Sequence, residues 1–251
     1  MKKNRASLVI GRKILLETIR EGKSFEKVFL QQGSGDQSVK DIARECLDLD
    51  IPLVKVPKVK LDRMTHSNHQ GAIGMLSQLQ YQNIEQVVPH LYENGKTPLI
   101  LLLDGITDTR NFGGIARSAE VLGAHAIVVP VKNSAQANTD SIKTSAGALL
   151  RLPVCRTANW KETLNYLRMN GIQIVAADEK AEHAIDEIDW TGPVALILGA
   201  EGAGLSKDSL RTADRLIKIV QSGKTDSLNV SVACGVILYE AGRQRKQMEK
   251  P

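Results

Sequence analysis

Pro193-Val-Ala-Leu-Ile-Leu198 runs without a break into Gly199-Ala-Glu-Gly-Ala-Gly-Leu-Ser206. An uninterrupted apolar segment of this length, closed by a glycine-rich turn, is the pattern of a strand buried on both faces. The same texture recurs on either side of it. Candidate strands are Leu99 to Leu103, Ala126 to Val131, Ile172 to Ala177, Val194 to Leu198 and Leu216 to Val220, with helices expected near Phe112 to Leu122, Asn159 to Met169 and Leu228 to Arg243. Strand, glycine-bearing loop and helix in alternation predict an α/β domain built on a parallel sheet. Ligands of such sheets bind beyond the carboxyl ends of the strands, so the loops after Leu103, Leu198 and Val220 are the places to look.

Upstream the texture differs. Arg12 to Arg20 and Val39 to Leu49 have helical spacing, Lys27 to Leu30 reads as a short strand, and Ile51 to Pro57 is an extended segment bounded by prolines. With a last strand over Gly71 to Leu79, residues 1–80 form a small α/β module, and residues 81–251 the parallel-sheet domain. Residues 1–80 hold 14 lysines and arginines against 9 acids, whereas residues 81–251 hold 19 of each, so the formal surplus of +5 is entirely N-terminal. This suits a phosphate-binding module attached to a domain with another task, and suits a solvated lysine-rich face equally well.

Composition excludes several classes. At 251 residues, 42% apolar and 24% charged, the chain is that of an ordinary globular protein. No apolar run approaches the ~20 residues of a membrane span, and Met1-Lys2-Lys3 leads into no cleavable apolar stretch, so a cytoplasmic location is expected. Cys46, Cys155 and Cys234 form no C-x-x-C pair and read as buried thiols. His66 and His69 have no acid or cysteine at ligand spacing; RNA contact or surface exposure is the better reading, and no metal is expected. Trp160 and Trp190 are expected to pack.

Three loops carry unusual chemistry. In Asn111-Phe-Gly-Gly-Ile-Ala-Arg-Ser-Ala119, Phe112, Ile115, Ala116 and Ala119 fall on one helical face and Asn111 is the expected N-cap. Asn111, Gly114 and Arg117 step by three, leaving a vacant surface between an amide and a guanidinium where a phosphate could dock. The plainer alternative is a capped helix with an exposed arginine. In the second loop, glycines at 199, 202 and 204 surround Glu201; this is not a G-x-G-x-x-G dinucleotide fingerprint, and a nicotinamide-dependent function is excluded with it. The third, Gln221 to Ala233, places Ser227 as an expected N-cap with Asn229 and Ser231 nearby at the start of an apolar helix.

In this order and at strand ends, these segments resemble the three motifs of the SpoU (TrmH/RlmB-like) family of RNA ribose 2′-O-methyltransferases, of the SPOUT superfamily. Gly11-Arg-Lys with Glu17, and Leu61-Asp-Arg-Met with His69-Gln-Gly71, are similar to the substrate-binding domain of its branch acting on a guanosine of large-subunit ribosomal RNA. The resemblance implies a deep trefoil knot in the C-terminal domain, a homodimer, S-adenosylmethionine as cofactor and RNA as partner, ribosomal in preference to transfer RNA. It implies catalytic roles for Asn111, Arg117, Glu201, Ser227 and Asn229. The implied cofactor-binding residues are Thr144, Ser145, Ala146 and Gly147, then Gly199, Ala200, Glu201 and Gly202, then Ile219 and Gln221, and finally Ser227, Leu228 and Asn229. The family often carries Ile-Pro-Met where this chain has Ile219-Val220-Gln221. A binding factor that kept the fold without the activity would have no need of all five catalytic-type residues.

Overall fold

The computed structural model describes residues 8–223 and 227–248. Met1-Lys2-Lys3 and the Lys224-Thr225-Asp226 part of the third loop lie outside them. The chain divides into two compact units, one made by the chain up to Gln80 together with Ala137–Thr139, the other by Tyr81–Gln136 and the chain from Asp140.

In the first unit, β1 (Leu8–Ile10), α1 (Arg12–Arg20), β2 (Phe25–Gln31), α2 (Gln37–Asp48), β3 (Leu53–Val56), α3 (Lys58–Met64) and β4 (Ala72–Leu76) follow in order. The sheet order is β1-β4-β2-β3, with β2 and β3 parallel and the other pairs antiparallel. Leu15 and Ile19 of α1 and Ile42 and Cys46 of α2 bury against Phe25, Val28 and Leu30. Gly74 makes this packing possible: a Cβ there would lie 2.5 Å from both Leu15 Cδ1 and Phe25 Cε1. His69, expected at the surface or on RNA, is instead buried. Its Nδ1 accepts from the Gly71 N–H at 2.9 Å, which makes Nε2 the protonated nitrogen facing Asp62 Oδ1 at 2.9 Å. A ring used at both nitrogens braces the loop and has nothing left for a ligand.

The second unit runs α4 (Ile84–Glu93), β5 (Leu99–Asp104), α5 (Thr109–Val121), β6 (Ala126–Pro130), α6 (Thr139–Thr144), β7 (Val154–Thr157), α7 (Trp160–Met169), β8 (Gln173–Ala177), β9 (His183–Ala184), β10 (Val194–Gly199), α8 (Lys207–Thr212), β11 (Arg215–Lys218) and α9 (Val230–Met248). All seven strands are parallel, in the order β7-β6-β5-β10-β8-β11-β9. β5 and β10, the most apolar strands, lie at the centre, buried on both faces. Every strand anticipated from the apolar runs is present, within two residues at each end. β7 and β9 are not legible in the sequence, since four residues and two residues carry no periodicity. Both tryptophans pack: Trp190 is fully buried, and Trp160 sits against the main core with its Nε1–H on Ser209 Oγ at 2.9 Å. The three cysteines are buried and unpaired, and burial pushes each thiol up to about 12.

α5 and α9 cross at close range because small residues face each other. A Cβ on Gly114 would lie 3.0 Å from Ser231 Cβ, and one on Gly235 would lie 3.5 Å from Ser118 Oγ. The far end of α9 is fixed by Arg245, whose guanidinium donates to four backbone carbonyls, those of Thr97, Pro98, Trp190 and Gly192.

Candidate active site

The ends of β5, β10 and β11 place the three unusual loops side by side. α5 starts three residues earlier than the sequence suggests: Asp108, not Asn111, is the N-cap, with Oδ1 accepting from the N–H groups of Arg110 at 2.7 Å and Asn111 at 2.9 Å. Those two bonds hold the Asp108 carboxyl below its ordinary range. Asn111 therefore stands in the first turn with its side chain free for other work. α9 begins with Asn229 and not Ser227 in the capping position. Asn229 Oδ1 accepts from the Ser231 N–H at 3.0 Å and from its hydroxyl at 2.6 Å, while the Asn229 carbonyl takes the N–H groups of Val232 and Ala233.

Between these helix starts the second loop delivers Glu201. Gly199 has no room for a side chain, since a Cβ would meet Gly204 C at 2.6 Å; Ala200 and Gly204 exchange backbone hydrogen bonds in both directions across the turn. Gly202 and Gly204 have φ of 78° and 67°, a conformation glycine adopts without strain. Glu201 Oε1 accepts from Asn111 Nδ2 at 3.1 Å and from Asn229 Nδ2 at 2.7 Å, and lies 3.4 Å from the Val230 nitrogen. Asn229 Nδ2 also donates to Asn111 Oδ1 at 2.9 Å. Three residues separated by 90 and 28 positions thus form one closed triangle.

Arg117 lies six residues further along α5, exposed, and no carboxylate pairs with it among the described residues. Glu201 is engaged by the two amides and forms no ion pair with Arg117 among the described residues. The surface over Gly114 is not vacant either, because Ser231 of α9 covers it. An anion could reach Arg117 from solvent but could not settle on Gly114.

Beside the triangle is a cavity of about 480 Å³. Gly199, Ala200, Glu201, Gly202, Ile219, Gln221, Ser227 and Leu228 line it, as expected of cofactor residues. Asn229, expected beside them, does not line it, and neither do Thr144, Ser145, Ala146 and Gly147. Thr144 instead packs against Gly113, where a Cβ would come within 2.7 Å, and buried Ser145 donates to the Ile142 carbonyl. Sequence reading missed the segment after β8: Asp178, Glu179 and Lys180 line the cavity together with Lys218. Their available signal was the strand end at Ala177, which obeys the same carboxyl-end rule as the three loops chosen.

A wholly parallel sheet with a ligand-sized cavity and a polar triangle at its carboxyl edge defines an α/β enzyme of the kind that holds its ligand at strand ends. The model of the SpoU rRNA methylase family matches residues 98–239, and that of the RNA 2′-O ribose methyltransferase substrate-binding domain matches residues 8–82. The chain belongs to the SpoU rRNA methylase family. It is 35% identical over 247 residues to an uncharacterized tRNA/rRNA methyltransferase of Mycobacterium sp. (strain KMS), covering 98% of this chain and 79% of the relative. It is 33% identical over 241 residues to the putative TrmH family tRNA/rRNA methyltransferase YacO of Bacillus subtilis (strain 168), covering 94% and 95%. Among solved structures, the AdoMet-bound rRNA methyltransferase of Sinorhizobium meliloti is similar with a TM-score of 0.60 and 25% identity, over 95% of this chain and 87% of that one. The fold also matches the SpoU methyltransferase AviRb of Streptomyces viridochromogenes in complex with AdoMet, at a TM-score of 0.61 and 23% identity over 96% and 90%.

Proposed function

We propose that this RNA methyltransferase moves a methyl group from S-adenosylmethionine to a ribose 2′-hydroxyl, on a guanosine of large-subunit ribosomal RNA in preference to transfer RNA. The observation that carries the reading is the convergence of Asn111 and Asn229 on Glu201, which itself lines the cavity. The residues present fit the cofactor: the volume lies within the ~300–1,000 Å³ of small-molecule sites, and the wall combines glycine backbone with Ile219, Leu228 and Ile237. Gly199, Ala200, Gly202, Ile219, Gln221, Ser227 and Leu228 would hold it. The bound cofactor supplies an electrophilic methyl on a sulfonium.

Attack by a ribose oxygen requires alignment and a home for developing negative charge. Asn111 is held by Glu201 and Asn229 and so can orient the ribose without rotating. Arg117 is exposed and has no ion pair among the described residues; it would take the adjacent RNA phosphate and stabilise the alkoxide. A guanidinium with a pKa above ~12 is not the base, so the proton leaves to the phosphate or to water. Glu201 is thereby a residue that orients amides, and Ser227 stands at the cavity wall.

Other parts of the reading have separate supports. The basic surplus of residues 1–80 and the substrate-binding family match favour that module as the RNA-binding domain, with residues 81–251 as the knotted catalytic one. Val232, Val236 and Tyr239 form an exposed apolar stripe on α9 that a second copy would cover in a homodimer. No helix among the described residues is long and apolar enough to cross a membrane, and work on ribosomal RNA places the enzyme in the cytoplasm. No metal enters the mechanism. The test is radiolabelled methyl transfer from S-adenosylmethionine to ribosomal and transfer RNA prepared from cells lacking the protein, followed by mapping of ribose methylation. Incorporation into ribosomal RNA at one guanosine is expected; incorporation only into transfer RNA would transfer the assignment to the alternative substrate.

A further inference from the structure

One buried carboxylate at the centre of the second unit is not used by the chemistry above. Asp104 is the last residue of β5, 9% exposed, at the carboxyl edge of the sheet. Its Oδ2 accepts from the Ser206 N–H at 2.7 Å and from the Ser209 hydroxyl at 2.6 Å. Ser209 is fully buried, and its oxygen in turn accepts from Trp160 Nε1 at 2.9 Å and from the Ser206 hydroxyl at 3.1 Å. Asp104 is also the register partner of Gly199 across the β5–β10 ladder.

Gly199 and Ser206 are the two ends of the loop that carries Glu201. One end is tied to the Asp104 position through strand pairing, the other to its carboxylate through a charge-assisted bond, the stronger kind of hydrogen bond. Between them the Ala200–Gly204 bridge closes the turn, and Gly199 lies against Gly204 with no space for adjustment. Glu201 is exposed and belongs to no helix or strand, so its place is set by this frame and by its amide partners. A carboxylate is the group required: two donors, a backbone N–H and a hydroxyl, converge on one oxygen, and an amide oxygen there is a weaker acceptor with an NH₂ beside it.

We propose that Asp104 is a positioning residue: by clamping both ends of the Gly199–Ser206 loop it fixes where Glu201, in the cavity wall, meets Asn111 and Asn229. This rests on the methyltransferase reading for its catalytic consequence, but not for the clamp itself.

The test uses the full-length protein with Asp104→Asn, and Ser209→Ala as a milder second variant that keeps the carboxylate. Hydrogen exchange of the 199–206 amides should rise about tenfold in both, in step with the loss of one strong bond, while the strand amides of β5 and β10 keep wild-type protection. In methyl transfer, kcat should fall about tenfold for Asp104→Asn. The effects of Asp104→Asn and Glu201→Ala on kcat should combine to much less than their product, because both act through the same side chain's contacts. A role confined to general stability would leave the two effects multiplicative, and that result, or unchanged exchange in 199–206, would overturn the proposal. If Asp104→Asn does not fold, exchange and the cycle are read on Ser209→Ala. Should the wild type transfer no methyl group at all, the function reading falls, and loop exchange still decides the clamp.

Discussion

At the residue scale, Asn111, Glu201 and Asn229 are each held by the other two, so loss of one member is felt by all three. Glu201→Ala removes the oxygen on which two amide donors converge, and kcat should drop by about 10²-fold, the cost of a misplaced reacting group, with the thermal midpoint unchanged. Wild-type kcat in that variant would remove the triangle from the mechanism. Arg117 behaves differently, because it forms no ion pair among the described residues. Arg117→Ala should abolish methyl transfer while calorimetric titration still shows wild-type S-adenosylmethionine affinity; loss of cofactor binding would contradict the division of labour. The sequence marks the five candidate catalytic residues only as residue types in or beside the three loops. Their contacts are not legible there: Asn111 reads as a cap and Asn229 as a neighbour of Ser227, whereas the caps are Asp108 and Asn229. A polar residue one turn inside a helix and one at its cap look the same in a linear pattern.

At the element scale, the start of α5 is wedged between α6 and α9. The two adjacent glycines there are explained by packing on opposite sides, Gly113 against the Ser141 carbonyl and Thr144, Gly114 against Ser231. Gly113→Ala should destabilise by about 1–3 kcal/mol in urea denaturation, because a backbone oxygen 2.7 Å from the new Cβ cannot move aside cheaply. Gly235→Ala, with ordinary 3.5 Å contact and better helix propensity, should instead be neutral or gain about 0.5–1 kcal/mol. A second element-scale device joins β5 to the chain entering β6. His125 Nδ1 accepts from the Leu99 N–H at 3.0 Å, and its pKa is lowered by burial, then by Arg245 and Lys96. The unfolded chain therefore takes up a proton near the ordinary histidine value of 6.5 that the folded chain refuses, so stability rises with pH through that window and falls below it. Denaturation midpoints between pH 7.5 and 5 should decrease accordingly. His125→Asn, whose amide oxygen can replace Nδ1, should flatten this part of the profile; an unaltered profile would assign it to other groups.

At the scale of the whole molecule, the two units have separate cores, one around Leu15, Phe25 and Ile42, the other around Ile100, Leu102 and Ile197. If binding of RNA and of cofactor are divided between them, a chain of residues 81–251 should keep wild-type affinity for S-adenosylmethionine in calorimetry and lose most of its methyl transfer to ribosomal RNA. Equal activity of the shortened chain would deny residues 1–80 a part in recognition. The sequence by itself determined the class of the second unit, because strands as apolar as Leu99–Leu103 and Val194–Leu198 can only lie buried on both faces. It also determined which loops carry chemistry, because ligand sites of parallel sheets follow the strand ends. Tertiary structure alone decided strand order, the closure of the triangle, the burial of His69 and the removal of Thr144–Gly147 from the cavity wall. Those outcomes depend on which distant segments occupy neighbouring positions, and periodicity along a chain reports the face a residue turns to the core without naming the residue it meets there.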